Sequence, residues 1–119
     1  MNWLQEFTRH RGIVAILRGV RPDEVEAIAE TLIDAGITLI EVPLNSPDPF
    51  DSIARLVKLS AGRALVGAGT VLSAAEVDRL SEIGSQIVIS PNTNSEVIRR
   101  TRTCDMFSMP GVFTASDAF

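Results

Sequence analysis

The sequence predicts an α/β protein of the (β/α)8 barrel class, and three observations support this fold. Five short apolar runs recur along the chain, beginning at residues 12, 38, 64, 86 and 106. Segments with helical periodicity fill the intervals, which is the pattern of strand–helix–strand units. The runs are apolar almost without interruption, as expected for parallel strands that are buried on both faces.

The length of 119 residues accommodates about four and a half such units, whereas a complete barrel needs roughly 200–250 residues. We therefore expect residues 1–119 to form the N-terminal, incomplete part of a single barrel domain. A doubly wound open sheet has the same alternation and is the competing architecture. A parallel array that stops at its fifth strand exposes an edge that natural proteins protect, which also favours a longer parent protein.

The predicted strands are Gly12–Leu17, Thr38–Leu44, Ala64–Gly69, Gln86–Ser90 and Met106–Met109. An initial helix over residues 2–10 precedes the first strand. The helix after the first strand has an apolar face with the spacing i, i+3, i+4, i+7, made of Val25, Ile28, Ala29 and Leu32. Pro22 suits the start of this helix, because proline is favoured at the first helical position.

The later helices are indicated by the residues at their ends. The next helix covers Asp48–Leu59, and Ser73-x-x-Glu76 is a capping-box pattern that begins the one after it. A shorter helix spans Ser95–Arg102. Thr114-x-x-Asp117 is a further capping pattern, which predicts that another helix begins at this point.

Composition and charge exclude several classes of function. A formal net charge of −4 argues against a nucleic-acid partner, because contact with a phosphate backbone needs clustered positive charge. No apolar run reaches the ~18–20 residues of a membrane span, and the first residues lack the apolar core of a signal peptide. We expect a cytoplasmic protein with no membrane partner. Asp and Glu never cluster with His at metal-ligand spacing, so we expect no metal site.

Glu41 is the strongest candidate for a catalytic residue. It lies inside the apolar strand Thr38–Leu44. Because side chains alternate along a strand, Glu41 shares the face opposite to Ile40 and Val42, which in a barrel points inward. A general base whose pKa is raised by burial towards ~6–7 is the functional interpretation. A structural ion pair with Arg18 is the alternative.

Other candidates lie where the predicted strands end, which is where barrel and open-sheet enzymes build their sites. Arg18 follows the first strand. Its guanidinium either binds a carboxylate or phosphate group through two parallel hydrogen bonds, or is simply solvated at the end of the strand. Asn45 follows the second strand. The segment Gly67-Ala68-Gly69-Thr70 allows close approach of the backbone to a ligand, with the Thr70 hydroxyl near an anion. Pro91 follows the fourth strand as a turn residue and pocket wall.

Three further features are interpreted as structural. His10 is expected to be a solvated surface residue of the initial helix. Cys104 has no neighbouring histidine in the sequence and is expected to be an inert thiol. A basic cluster is expected to form a solvated helix face, and it consists of Arg99, Arg100 and Arg102.

Four segments carry a resemblance to a known family. They read Ile16-Leu17-Arg18-Gly19, Ile40-Glu41-Val42-Pro43-Leu44-Asn45-Ser46-Pro47, Val66-Gly67-Ala68-Gly69-Thr70-Val71-Leu72 and Ser90-Pro91-Asn92. In this order they resemble the 2-keto-3-deoxy-6-phosphate aldolases, over essentially the whole chain. The stretch Pro43-Leu44-Asn45-Ser46-Pro47 is similar to the branch of this family that acts on the phosphogalactonate-derived substrate.

The resemblance implies a (β/α)8 barrel that assembles as a homotrimer and needs no metal or cofactor. It implies a class I aldolase, in which a lysine forms a Schiff base with the 2-keto carbon. The implied reaction is reversible cleavage of 2-dehydro-3-deoxy-6-phosphogalactonate to pyruvate and glyceraldehyde 3-phosphate. Its partners would be small molecules, namely a phosphorylated 2-keto-3-deoxy sugar acid and pyruvate.

The resemblance also implies roles for individual residues. Glu41 matches the proton-shuttling carboxylate. Arg18, Asn45, Thr70 and Pro91 match substrate-binding positions, with Thr70 near the pyruvyl carboxylate and Pro91 in the pocket wall. Phe113 stands where many relatives have a small residue.

One departure from the family pattern concerns the lysine that forms the Schiff base. The family's Schiff-base lysine lies on the sixth strand, and the only lysine here is Lys58, on a predicted helix and facing solvent. An exposed lysine is normally protonated and is a poor nucleophile. We therefore expect the isolated chain to be inactive.

Two alternative interpretations are open. The protein could be another phosphate-binding barrel enzyme, such as a sugar-phosphate isomerase, or a half barrel without catalytic activity.

Overall fold

A computed structural model describes residues 2–119 of the chain. Strands and helices alternate throughout this part, in the order α1 (Trp3–Arg9), β1 (Val14–Ile16), α2 (Val25–Asp34), β2 (Leu39–Pro43), α3 (Pro49–Ser60), β3 (Leu65–Gly69), α4 (Ala74–Glu82), β4 (Ile87–Ser90), α5 (Ser95–Thr103), β5 (Phe107–Pro110) and α6 (Ala115–Ala118). All five predicted strands are present, each within about two residues of its predicted ends.

The strand order distinguishes the two competing architectures. The five strands form one sheet in the order β1-β2-β3-β4-β5, and every neighbouring pair is parallel. A doubly wound sheet reverses its strand order at a switch point, whereas a barrel adds each new strand beside the last. The sequential order therefore supports the barrel and excludes the doubly wound alternative for this part of the chain.

The two faces of the sheet pack into two separate apolar clusters. The outer cluster joins the sheet to the helices and includes Ile40, Val42, Val66, Ala68 and Val88 from the strands. The inner cluster lies on the opposite face and contains Trp3, Leu39, Leu65 and Ile87. This division follows the alternation of side chains along each strand, as the sequence predicted for β2.

Helix α1 covers one end of the inner face with aromatic side chains. The Trp3 ring stacks on the Phe107 ring, with centroids 5.8 Å apart and planes 8° from parallel. Phe7 meets the same ring edge-on, at a centroid distance of 5.6 Å. The initial helix is thus part of the core of the sheet rather than an appendage.

The capping boxes are present as predicted, and two other predictions are wrong. Both reciprocal bonds of the Ser73 and Thr114 capping boxes form. Helix α2 begins at Val25, because the preceding residues Pro22 to Glu24 form a separate turn. His10 is half-buried rather than solvated, and its Nδ1 atom hydrogen-bonds with the Thr38 hydroxyl at 2.6 Å.

The predicted apolar face of α2 is only partly correct. Val25 and Ala29 are fully buried, whereas Ile28 remains 37% exposed. None of the helices within residues 2–119 has the length and apolar character needed to cross a lipid bilayer.

The packing of the outer cluster predicts that substitution of a leucine inside it lowers stability far more than substitution of an exposed leucine. Leu80 on α4 is fully buried in that cluster, so Leu80→Ala removes apolar contacts and leaves a cavity. We expect the free energy of unfolding to fall by about 2–5 kcal/mol, measured by urea denaturation. Leu4→Ala on α1 is the matched control, because Leu4 is 73% exposed and its loss should change stability by less than about 0.5 kcal/mol. Equal losses for the two variants would contradict this packing.

Candidate active site

Glu41 lies in the middle of β2, on the inner face of the sheet. Its neighbours in sequence, Ile40 and Val42, belong to the outer cluster, whereas Leu39 belongs to the inner one. The Glu41 side chain is only 3% exposed. The predicted placement of an acid on the inward face is therefore confirmed.

The neighbouring strand makes room for this carboxyl group with a glycine. A Cβ atom built on Gly69 would lie 2.5 Å from the Glu41 Cδ and Oε1 atoms and would overlap Oε2. Gly69 pairs with Pro43 in the β2–β3 ladder, two residues beyond Glu41. The sequence predicts that the glycines of this segment allow close approach of a ligand. In the structure, Gly69 instead allows the Glu41 side chain to lie over β3.

The position of Glu41 changes its protonation. Burial raises the pKa of its carboxyl group from the usual 4.5 to about 7, while the positive charge of Arg18 and the amide of Gly69 act in the opposite direction. The Oε2 atom is buried and has no hydrogen-bond partner among residues 2–119. Desolvation favours the neutral acid, which explains why burial is the larger effect. The expected raised pKa is thus confirmed.

The structure does not form the ion pair between Glu41 and Arg18 that was the alternative to a general base. Within residues 2–119, no ion pair at 4.0 Å or less joins the two side chains, although the charge of Arg18 lowers the pKa of Glu41. Arg18 is exposed and follows β1 directly. It lines a groove between the β1–α2 turn and α2, together with Glu24 and Ile28. Its guanidinium is therefore available to an anion.

The remaining predicted binding residues follow successive strands at the same edge of the sheet. Asn45 follows β2 and is exposed, Thr70 follows β3 and is half-buried, and Pro91 follows β4 and is exposed. Thr70 has a φ angle of +55°, in the left-handed region that is rare for a β-branched residue. Together with Arg18 these residues lie along the edge of the sheet where the parallel strands end.

One buried residue of this region, Ser46, is not among the candidates that the sequence predicts. Ser46 is 7% exposed, and its hydroxyl oxygen accepts a hydrogen bond of 3.1 Å from the Gly19 amide. The contact joins the loop after β2 to the turn after β1. A small hydroxyl residue directly after Asn45, at the end of a strand, was the available signal.

Lys58 lies away from this end of the inner face. It is exposed on α3, in a groove of the helical layer that it shares with Glu26, Arg55 and Leu59. Glu41 faces the opposite side of the sheet, so the only lysine of the chain and the buried acid are on different faces.

The other candidates show no catalytic arrangement. Arg100 forms an ion pair with Asp78 on the helical surface, in agreement with the solvated helix face that was predicted. Cys104 is a half-buried free thiol. Within residues 2–119, no three His, Cys, Asp or Glu side chains are grouped as metal ligands would be.

Comparison with known proteins identifies the relatives of this chain. The chain is 50% identical over 108 residues to a probable 2-dehydro-3-deoxy-6-phosphogalactonate aldolase of Rhizobium meliloti (strain 1021), which covers 91% of this chain and 51% of that protein. It is 47% identical over 107 residues to the 2-dehydro-3-deoxy-6-phosphogalactonate aldolase of Escherichia coli (strain K12), covering 90% of this chain and 52% of that protein. The chain thus spans about half the length of the curated relatives it matches.

The same relationship holds for the three-dimensional structure. A solved structure described as native KDPGal superposes with a TM-score of 0.87 and 47% identity, over 89% of this chain and 52% of that chain. The predicted fold, the first strand–helix units of a (β/α)8 barrel, is thereby confirmed. The family model of the KDPG and KHG aldolases matches residues 4–119. Motif order, strand topology and these matches agree, and the chain belongs to the KDPG and KHG aldolase family.

Proposed function

We propose that the protein is a class I aldolase that cleaves 2-dehydro-3-deoxy-6-phosphogalactonate to pyruvate and glyceraldehyde 3-phosphate. The observation that carries this proposal is the buried Glu41 carboxyl group with a pKa of about 7. A group that titrates near neutral pH both accepts and releases a proton readily, as acid–base catalysis requires. The names of the relatives support the choice of substrate.

Glu41 would act on the hydroxyl group at C4 of the substrate. Cleavage breaks the C3–C4 bond, and its electron pair moves into the iminium formed between the 2-keto carbon and a lysine. The C4 hydroxyl becomes the aldehyde of glyceraldehyde 3-phosphate, so its proton must leave at the same stage. Glu41 in its carboxylate form accepts that proton, and in its acid form it returns one during Schiff-base exchange.

The exposed residues at the same edge would bind the substrate. Arg18 presents a guanidinium that suits the substrate carboxylate or a neighbouring oxygen. Thr70 would contact the pyruvyl carboxylate, Asn45 would contact a polar group of the substrate, and Pro91 would form the pocket wall. We further expect a homotrimer in the cytoplasm, an expectation that rests on the family resemblance.

The first prediction concerns the acid–base role. In an active protein containing this chain, Glu41→Gln removes the proton acceptor, and we expect kcat for cleavage to fall by about 10²–10⁴-fold. In the wild-type protein kcat should fall about tenfold per pH unit below pH ~7, because the carboxylate becomes protonated. Steady-state cleavage assays across pH 5 to 9, with pyruvate as the measured product, test both expectations.

Glu82→Gln is the matched control for this experiment. Glu82 is exposed at the end of α4, on the helical layer, and the variant should retain wild-type cleavage at every pH. A Glu41→Gln variant with wild-type kcat would exclude Glu41 as the acid–base group.

The same carboxyl group predicts a dependence of stability on pH. Between pH 4.5 and about 7 the unfolded chain releases the Glu41 proton while the folded chain keeps it, so the stability contributed by this group falls as the pH rises. We expect the wild-type protein to lose about 3 kcal/mol relative to Glu41→Gln across this interval. Urea denaturation of both proteins at several pH values measures the difference. A difference that is the same at pH 4 and pH 8 would contradict the buried, raised acid.

The amine of the Schiff base gives another test. We infer that it is not Lys58, which is exposed on the helical layer. When the chain of 119 residues is incubated with pyruvate and borohydride, we expect mass spectrometry to detect no reduced adduct. Lys58→Arg in an active protein containing this chain should trap pyruvate as the wild type does. Covalent labelling of Lys58 would overturn the inference.

A further inference from the structure

Ser46 forms a buried contact between the loop after β2 and the turn after β1. Its hydroxyl oxygen accepts from the Gly19 amide at 3.1 Å, and its own amide donates to the Pro43 carbonyl at 2.9 Å. With only 7% of its surface exposed, Ser46 is largely shielded from the water that would otherwise compete for this bond. The contact is therefore a fixed part of this edge of the sheet.

The Gly19 amide belongs to the tight turn that carries Arg18. The Val20 amide donates to the Leu17 carbonyl at 3.3 Å and closes this turn. Gly19 has a φ angle of +78°, and a Cβ atom built on it would meet no atom within 4 Å. The glycine is thus needed for its backbone conformation, which directs its amide towards Ser46.

Arg18 is consequently held on both sides by bonds to the segment that contains Glu41. On one side the Leu17 amide donates to the Glu41 carbonyl at 2.9 Å. On the other side the Gly19 amide donates to the Ser46 hydroxyl at 3.1 Å. The Arg18 side chain itself is exposed, so its direction depends on the backbone that these two bonds hold.

We propose that Ser46 is a positioning residue, which holds the Leu17–Val20 turn so that the Arg18 guanidinium stays at the edge of the sheet where β1 and β2 end, available to the bound substrate. The part of this proposal that concerns the substrate rests on the proposed aldolase function. Within residues 2–119, the positive charge of Arg18 lowers the pKa of the Glu41 carboxyl group, and the Gly69 amide on β3 lowers it as well. Loss of the Ser46 hydroxyl should therefore affect both substrate binding and the titration of Glu41 through Arg18.

A double-mutant cycle tests the link between Ser46 and Arg18. In an active protein containing this chain, Ser46→Ala should raise KM for the aldol substrate by about five- to tenfold, as expected for one lost hydrogen bond. In the background of Arg18→Ala the same change should alter KM by less than about twofold, because the group that Ser46 positions is gone. An undiminished effect of Ser46→Ala in the Arg18→Ala background would show a general structural role and overturn the proposal.

Ser85→Ala is the matched control. Ser85 is also buried, and its hydroxyl donates to the Ile87 carbonyl at the opposite end of the strands. We expect its KM to equal that of the wild type. If Ser46→Ala does not fold by circular dichroism, Ser46→Cys takes its place, because it is similar in size and a weak acceptor.

The titration of Glu41 tests the proposal without any activity. In protein labelled with 13C at the glutamate carboxyl carbons, NMR follows the pKa of Glu41 directly. Arg18→Ala removes a positive charge, so the pKa should rise above its wild-type value. Ser46→Ala should raise it in the same direction, and the double variant should equal Arg18→Ala alone.

The two measurements separate the inference from the proposed function. If Ser46→Ala and Arg18→Ala shift the Glu41 titration as expected but a longer protein that contains this chain cleaves no substrate, the aldolase function is contradicted and the link between Ser46 and Arg18 stays supported. Active wild-type protein in which Ser46→Ala changes neither KM nor the Glu41 titration would contradict the positioning role alone. An unchanged titration in Arg18→Ala would overturn the electrostatic link on which the inference depends.

Discussion

The burial of one carboxyl group against one glycine is the constraint on which the candidate site depends. Glu41 lies over Gly69 of the next strand, where a Cβ atom at position 69 would overlap the carboxyl group unless the Glu41 side chain moved away. This contact exists because β2 and β3 pair in a register that sets Glu41 beside Gly67 and Pro43 beside Gly69. A shift of one residue would turn the acid towards the helices, where the outer cluster has only apolar partners for it. The chemistry of the acid is therefore set by strand register before any substrate binds.

The same burial makes the site a source of instability that the rest of the fold must offset. An acid that remains protonated up to a pKa of about 7 destabilises the folded state at neutral pH, relative to an acid that ionises freely in water. The outer cluster and the aromatic contacts of α1 supply apolar burial on both sides of the sheet. Because each buried leucine or isoleucine contributes roughly 2–3 kcal/mol, a few of them outweigh one desolvated acid. A rigid two-sided core thus permits a site that is unfavourable by itself.

Local patterns in the sequence predicted most of the fold and only part of the site. The strands and the inward direction of Glu41 follow from the alternation of side chains along a strand, and the capping boxes at Ser73 and Thr114 follow from pairs of residues three positions apart. A single sequence displays both patterns. The roles of Gly69 and Ser46 could not be predicted in this way, because each is defined by a residue 27 or 28 positions away in the chain. His10 was misassigned for the same reason, since its partner Thr38 belongs to another element. Long-range pairing adds information that periodicity does not contain.

Sequential strand order explains why these long-range partners recur at nearly the same separation. In a sheet that adds each strand beside the last, residues one strand–helix unit apart become neighbours in space. Gly19 meets Ser46, and Glu41 meets Gly69, each across one such unit. A residue at the end of one strand is therefore positioned by the strand that follows it, and Arg18 depends on the β2 segment in the way that Glu41 depends on β3. The site consists of contacts between neighbouring loops along the edge where the strands end. We therefore expect a substitution in one loop to affect the Glu41 carboxyl group through the adjacent loop and not through the protein as a whole.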